Sequence, residues 1–392
     1  LLVSEKNFIE LADKLATMRG AAMKAGQLLS MDAGSLVPKE LAILLDRLRS
    51  EAVVMPSLQL IDVLEKNWGD HWQDTFQQFS FNPIAAASIG QVHRAITKDQ
   101  RELAIKIQYP GVKESIDSDL DNVFGLLRLS GLIPKEVNLD PLVDEARLQL
   151  KREADYQYEA EQLAVYTDNL NSFARRDELA LPVVHTDLST DQILCMSFMK
   201  GGSLEALANA PQAERNRVMS LMMVLFFEEF LAHHCVQTDP NLANFLYEEE
   251  SKKLVLLDFG ATRSFDSDFV AAYKSALYAA AQQDREALLS ALYILGFFDS
   301  SSGKVSSNQD IVLDIFILAA EPLRFDGAYD FGRSNIAEVI RDKGMAMRGH
   351  RDAWHSPPPD VLFLHRKMGG IYLMAKRFGA QIDVKKLFGL YC

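Results

Sequence analysis

The sequence has few cysteines, few tryptophans and no long apolar run. Its 3 cysteines, Cys195, Cys235 and Cys392, stand in unrelated contexts, and no Cys-x-x-Cys pair occurs. That excludes a zinc ribbon and a disulfide framework and fits a reducing compartment. No stretch reaches the ~18 uninterrupted apolar residues that a bilayer span takes. The most apolar segment, Leu221 to Cys235, is broken by Glu228 and Glu229 and reads as a buried helix. Positive charge is also short: 41 Lys and Arg stand against 54 Asp and Glu, a net charge of −13. Such a chain is poorly suited to nucleic acid or to a purely electrostatic membrane anchor. It opens without Met and inside a helical pattern, so it reads as a fragment whose lack of a targeting segment excludes nothing.

What is present is a globular composition, 48% hydrophobic and 24% charged over 392 residues. That length asks for two lobes or two to three domains rather than one core. The first 80 or so residues read as helices, with Phe8, Leu11, Leu15, Met18 and Ala22 on one face. Gly20, Ala21, Ala22, Ala25 and Gly26 then form a run of small residues. Glycine in a helix costs about 1 kcal/mol relative to alanine, so close approach to another backbone is the expected reason. From Phe81-Asn82-Pro83 the texture changes to short β-like runs, Val92 to Ile96 and Leu103 to Ile107. Helical stretches are expected from Ile116 to Leu129 and from Leu142 to about Leu170, and strands at Val183 to His185 and Gln192 to Phe198. Gly201-Gly202 marks a break, and the remainder is mostly helical. The expected architecture is α+β and two-lobed, with a helical extension over 1–80, a small mixed lobe over 81–199 and a larger helical lobe over 200–392. A cleft at the break is where a ligand is expected.

Four features follow one another in an order that carries chemistry. Ala85-Ala86-Ala87-Ser88-Ile89-Gly90-Gln91-Val92 is a small-residue loop that matches the phosphate-covering pattern GxGxxGxV only at Gly90 and Val92. Lys106 lies inside the apolar run Leu103-Ala104-Ile105-Lys106-Ile107, where a kinase carries the lysine that holds nucleotide phosphates. Asp239 and Asn244 have the spacing of a D-x-x-x-x-N catalytic loop. The carboxylate can accept a hydroxyl proton or orient a water, and the amide oxygen suits Mg²⁺, a hard cation. Leu254 to Leu257 then delivers Asp258-Phe259-Gly260, with Asp258 a second Mg²⁺ ligand. Alone, each has a bland reading as an edge-strand lysine, a small turn or a polar turn; together they point to a nucleotide site. The acidic helix Arg152 to Glu159 offers Glu153, Asp155 or Glu159 as the partner of Lys106. By contrast, His233-His234-Cys235 does not read as a metal site, because adjacent helical side chains diverge by about 100°.

With Lys24-Ala25-Gly26-Gln27 read as KxGQ, Ala85 to Val92 as an alanine-rich loop, Glu153-Ala154-Asp155 as ExD, and Gln237-Thr238-Asp239-Pro240, Asn244 and Asp258-Phe259-Gly260 closing the set, the chain resembles the UbiB/ADCK family of atypical protein-kinase-like proteins. The resemblance runs over roughly 15–265. It implies a protein-kinase-like fold with the helical extension packed over the cleft, Lys24 and Gln27 reaching it, and Lys24 near Glu153 and Asp155. It implies Glu159 as the partner of Lys106, and ATP with Mg²⁺ as cofactors. It also implies ATP hydrolysis or phosphoryl transfer that supports ubiquinone or isoprenoid-lipid biosynthesis. Cys195 to Met199 would flank the adenine, with Met196 in the gatekeeper-like position and Phe198 beside it. The expected partners are a nucleotide and a lipid or quinone precursor, with peripheral membrane contact compatible and nucleic acid not expected. The expected location is cytoplasmic, peripheral at a membrane, or mitochondrial in a eukaryote. Alternatives are a nucleotide-binding scaffold without useful turnover and a small-molecule phosphotransferase. Gln237-Thr238 stands where ordinary kinases have His-Arg, and no Ala-Pro-Glu follows Asp-Phe-Gly, so no peptide-docking segment is expected.

Overall fold

The computed structural model describes residues 54–87, 89–130, 140–298, 309–347 and 358–391. They fall into two compact units. The first holds the described residues up to Asp168 together with Leu181–Lys200 and Leu257–Ala261; the second holds Asn169–Ala180, Gly201–Leu256 and the described residues from Thr262 onward.

In the first unit, helix α1 (Ser57–Trp68) precedes an antiparallel sheet of β1 (Phe76–Phe79), β2 (Ala85–Ala86), β3 (Gly90–Thr97), β4 (Glu102–Gln108) and β5 (Ile193–Ser197). The path is β1-β3-β4-β5, with β2 paired to the start of β3. Strand β4 explains the arrangement. Its period of two sends Leu103, Ile105 and Ile107 to one face, where they join Ala95, Ile193 and Cys195 in a core with Leu60, Leu64, Trp72 and Phe76. Ala104, Lys106 and Gln108 take the other face. Directly opposed residues of antiparallel strands share a face. Ala85 lies opposite Val92, Val92 and Leu194 opposite Lys106, and Met196 opposite Ala104. Ala85, Val92, Lys106 and Met196 therefore occupy one surface of one sheet.

Two local expectations change. Phe76–Phe79 belongs to a stretch read as helical, yet it is an edge strand. Phe-Gln-Gln-Phe has no alternation to betray a strand; its rings are fixed by an aromatic cluster, with Phe79 5.1 Å from Trp72 and 5.6 Å from Phe76. The helix expected from Leu142 to about Leu170 is two helices that follow α2 (Val112–Ser130), namely α3 (Asp140–Glu153) and α4 (Tyr156–Asn169). The acidic helix Arg152 to Glu159 is thus interrupted at Ala154-Asp155. Asp155 Oδ1 accepts from the N–H groups of Gln157 and Tyr158, both at 3.1 Å, which caps α4. Gln108 Nε2 donates to the Ala154 carbonyl at 3.0 Å, so strand β4 holds the break in place.

The second unit is built on α5 (Gln212–Phe227), buried from Val218 through Phe227 apart from Ser220. A π-helical turn, Glu228–Ala232, follows it. Strands β6 (Gly202–Ser203), β8 (Phe245–Glu248) and β9 (Lys253–Leu256) form a sheet with Leu179–Ala180, and β7 (Cys235–Gln237) pairs with β10 (Thr262–Ser264). Helices α6 (Ser267–Gln282), α7 (Arg285–Ile294), α8 (Gln309–Ala319), α9 (Ile336–Met347) and α10 (Pro359–Arg377) are its longer later helices. Among the described residues no helix is long and apolar enough to cross a membrane.

Candidate active site

In the first unit Lys106 projects from β4 onto the start of α4. Its Nζ donates to Glu159 Oε1 at 2.5 Å and to Asp258 Oδ2 at 3.2 Å. Lys106 is 7% exposed and Glu159 5%, so this ion pair is desolvated. Burial opposes the charge on Lys106, but the carboxylates of Asp258 and Glu159 outweigh it and raise its pKa. Burial raises Glu159, with the Asp258 charge adding to the effect and Lys106 opposing it. The segment that carries Asp258 is itself anchored. Glu159 Oε1 accepts from the Phe259 N–H at 3.4 Å, Asp258 Oδ1 accepts from the Gly260 N–H at 3.0 Å, and the buried Phe259 ring packs 5.0 Å from Tyr166 of α4. One ammonium among two carboxylates leaves a net negative corner, which a divalent cation suits.

The small-residue loop is a hairpin. Ile84 N–H donates to the Val92 carbonyl at 2.8 Å and Ala87 N–H to the Gly90 carbonyl at 2.9 Å, with Ala85 and Ala86 exposed on β2. Gly90 is required by packing, since a Cβ there would lie 2.2 Å from the Ile107 carbonyl oxygen. Met196 is buried on the Lys106 face. Phe198 is differently engaged: its N–H donates to the Glu102 carbonyl at 2.8 Å and its ring lies 4.5 Å from the Arg94 guanidinium carbon. Glu153 ends α3, and Asp155 is the cap of α4. Lys24, Gln27 and Ser88 lie outside the described residues.

Asp239 and Asn244 belong to the second unit, on the loop after β7. Asn244 Nδ2 donates to Asp239 Oδ2 at 2.9 Å and to the Asp239 carbonyl at 3.3 Å. Two acceptors on one side fix the amide, so its oxygen, a hard donor suited to Mg²⁺, is turned away from Asp239. Asp239 Oδ1 accepts from Arg366 Nη2, and Gln237 Nε2 donates to the Asp239 carbonyl at 3.0 Å. Gln237 Oε1 in turn accepts from Lys367 Nζ at 3.0 Å. Burial lowers the pKa of Lys367, with Glu229 opposing. No group of three His, Cys, Asp or Glu able to hold a metal occurs among the described residues. A divalent cation held by a single carboxylate such as Asp258 would complete its shell with phosphate and water, as Mg²⁺ commonly does.

Arg366 and Lys367 were not singled out by sequence. One signal did exist: Gly369-Gly370 inside a helical pattern, costly unless a backbone or ring must come close. A Cβ on Gly370 would sit 2.3 Å from the Pro240 ring.

Comparison with known proteins settles the family. The ABC1 atypical kinase-like domain matches residues 47–292. The chain belongs to this family, the UbiB group of atypical kinases. It is 38% identical over 392 residues to the protein named atypical kinase COQ8, mitochondrial, of Saccharomyces cerevisiae, covering 99% of this chain and 76% of that protein. It is 36% identical over 386 residues to atypical kinase COQ8B, mitochondrial, of Rattus norvegicus, covering 98% and 72%. Against the Schizosaccharomyces pombe COQ8 it is 36% identical over 392 residues, spanning 63% of that protein's length. A solved structure, the Rv3197–erythromycin complex from Mycobacterium tuberculosis, aligns with TM-score 0.64 at 22% identity over 98% of this chain and 95% of that one. At that identity the likeness bears on fold, and the fold is kinase-like α+β. As an ABC1 kinase, the protein is an enzyme of the phosphotransferase class.

Proposed function

We propose that this ABC1 kinase binds ATP with Mg²⁺ and hydrolyses it, or transfers its γ-phosphoryl group, in support of ubiquinone or related isoprenoid-lipid biosynthesis. The observation that carries the reading is Lys106, buried between Glu159 and Asp258 on the sheet face that also presents Ala85, Val92 and Met196. A lysine held charged in that position serves to bind phosphate. Glu159 keeps it extended, and Met196 and Val92 offer apolar surface to a base. Bound Mg²⁺ supplies charge neutralisation at the phosphates, and Asp258 and Asn244 are the residues that would hold it. Asp239 orients the nucleophile, water or a hydroxyl. Phosphoryl transfer needs mostly positioning and charge stabilisation, for which this set is sufficient. A lipid or quinone-precursor ligand, peripheral membrane contact and mitochondrial residence in a eukaryotic source belong to the same proposal, supported by relatives named as mitochondrial atypical kinases.

ATP hydrolysis with and without lipid vesicles, on wild type and Asp258→Asn, tests it. Lipid-stimulated turnover that disappears in the variant supports the reading. Turnover equal in the two proteins removes Asp258 from the mechanism.

A further inference from the structure

Ordinary kinases carry an arginine directly before the catalytic aspartate. Here that position is Thr238, a buried neutral residue, and the loop from Gln237 to Asn244 contains no cation. The cation comes instead from α10, far along the chain. Arg366 Nη2 donates to Asp239 Oδ1, and Asn244 Nδ2 occupies Oδ2 at 2.9 Å, so both carboxylate oxygens are tied. The side chains of Arg366 and Asp239 are 16% and 21% exposed, so the pair is partly shielded from water. Two further contacts fix α10 on the loop. Lys367 donates to Gln237 at 3.0 Å and faces Glu229 of the π-helical turn at 3.7 Å. Gly370, one turn beyond Arg366 and on its face, meets Pro240 so closely that a Cβ would lie 2.3 Å from the ring. Helix α10 therefore engages Gln237, Asp239 and Pro240 through Lys367, Arg366 and Gly370.

We propose that Arg366 is a positioning residue of the catalytic loop: from α10 it supplies a cation to a loop that has none of its own and holds the Asp239 carboxylate in its working orientation. The inference rests on reading Asp239 as the residue that orients the nucleophile. It extends the catalytic machinery beyond residue 292, where the match to the family domain ends.

The test measures Mg²⁺-dependent ATP hydrolysis and binding of a fluorescent ATP analogue on the full chain, for Arg366→Met, Arg366→Lys, Asp239→Asn and the Arg366→Met/Asp239→Asn double variant. Arg366→Met is expected to lower kcat at least about tenfold, toward the ~100-fold that a misplaced catalytic group costs. KM for ATP and analogue affinity should stay within about twofold, because Arg366 is assigned no contact with nucleotide. Arg366→Lys should recover part of kcat, and adding Arg366→Met to Asp239→Asn should cost nothing further, as for residues acting as a unit. The inference is overturned if Arg366→Met keeps wild-type kcat while Asp239→Asn is inactive. Equal losses in both backgrounds, or loss of analogue binding in Arg366→Met and Arg366→Lys alike, overturn it in favour of a purely structural contact. Full activity in Asp239→Asn would instead overturn the reading of Asp239, and the positioning role with it.

Discussion

Lys106 Nζ and Glu159 Oε1 lie 2.5 Å apart, joining strand β4 to the first turn of α4 in a nearly water-free setting. Removing one partner of a buried pair leaves the other charge uncompensated, which costs about 3–5 kcal/mol. Glu159→Ala is expected to cost part of that, since Asp258 still lies 3.2 Å from Lys106, read as a fall in the denaturant midpoint at unchanged m-value. It should also weaken ATP binding, because Lys106 is left to turn toward Asp258. A variant as stable as wild type would show the pair to be ornamental.

Gly90 matches a phosphate-loop glycine in sequence, but its need for glycine arises from the Ile107 carbonyl 2.2 Å from where a Cβ would stand. Gly90→Ala must push β3 from β4. Overpacking of this kind costs about 1–3 kcal/mol. Thermal unfolding checks it, and an unchanged midpoint would mean that the strands separate freely.

Tyr156, at the start of α4 and a turn before Glu159, has a buried hydroxyl with no hydrogen-bond partner among the described residues. Burial raises its pKa, with Lys106 opposing, so it stays a neutral phenol. An unsatisfied buried polar group costs about 1–3 kcal/mol. Tyr156→Phe is therefore expected to stabilise the ligand-free protein by about 1 kcal/mol, again read by denaturant midpoint. Destabilisation would show that the hydroxyl is doing something favourable there.

Two histidines held neutral in the fold predict a loss of stability in acid. His93 Nδ1 donates to the Ser80 carbonyl at 2.7 Å, so Nε2 must accept from Gln91 Nε2 at 2.7 Å, and Gln91 Oε1 accepts the Met55 N–H at 2.9 Å. Only the neutral ring fits, and burial lowers the His93 pKa. His365, among the rings of Tyr273, Phe297 and Phe316, is lowered by burial to about 4. A histidine with a depressed folded pKa binds more protons when unfolded. Its contribution is complete above the unfolded value near 6.5 and is lost as pH falls toward the folded value. For His365 the loss amounts to about 3 kcal/mol by pH 4. Stability measured from pH 7.5 to 4.5 should fall on the acid side, and His365→Phe should flatten that fall. An identical slope in the variant would contradict the assignment.

How much was legible follows from what is local. The period-two run Leu103 to Ile107 announces a strand with Lys106 facing away from the core, and Asn244 and Asp258 are separated by the hairpin that their spacing allows. The choice of Glu159 over Glu153 and Asp155 was not available from the residues alone. It depends on the break at Ala154-Asp155, created by a cap and by the Gln108 side chain from a remote strand. Phe76–Phe79 escaped because tertiary ring contacts, not alternation, make it a strand. Arg366 escaped because Gly369-Gly370 signals a close approach to α10 without saying that the neighbour is the loop of Asp239.

The most direct measurement is calorimetric titration of ATP, with Mg²⁺ and with chelator, into wild type, Lys106→Met and Asp258→Asn. The account predicts Mg²⁺-dependent binding to wild type, weakened at least about tenfold in Lys106→Met and stripped of its Mg²⁺ dependence in Asp258→Asn. Wild-type affinity with wild-type Mg²⁺ dependence in both variants would contradict it.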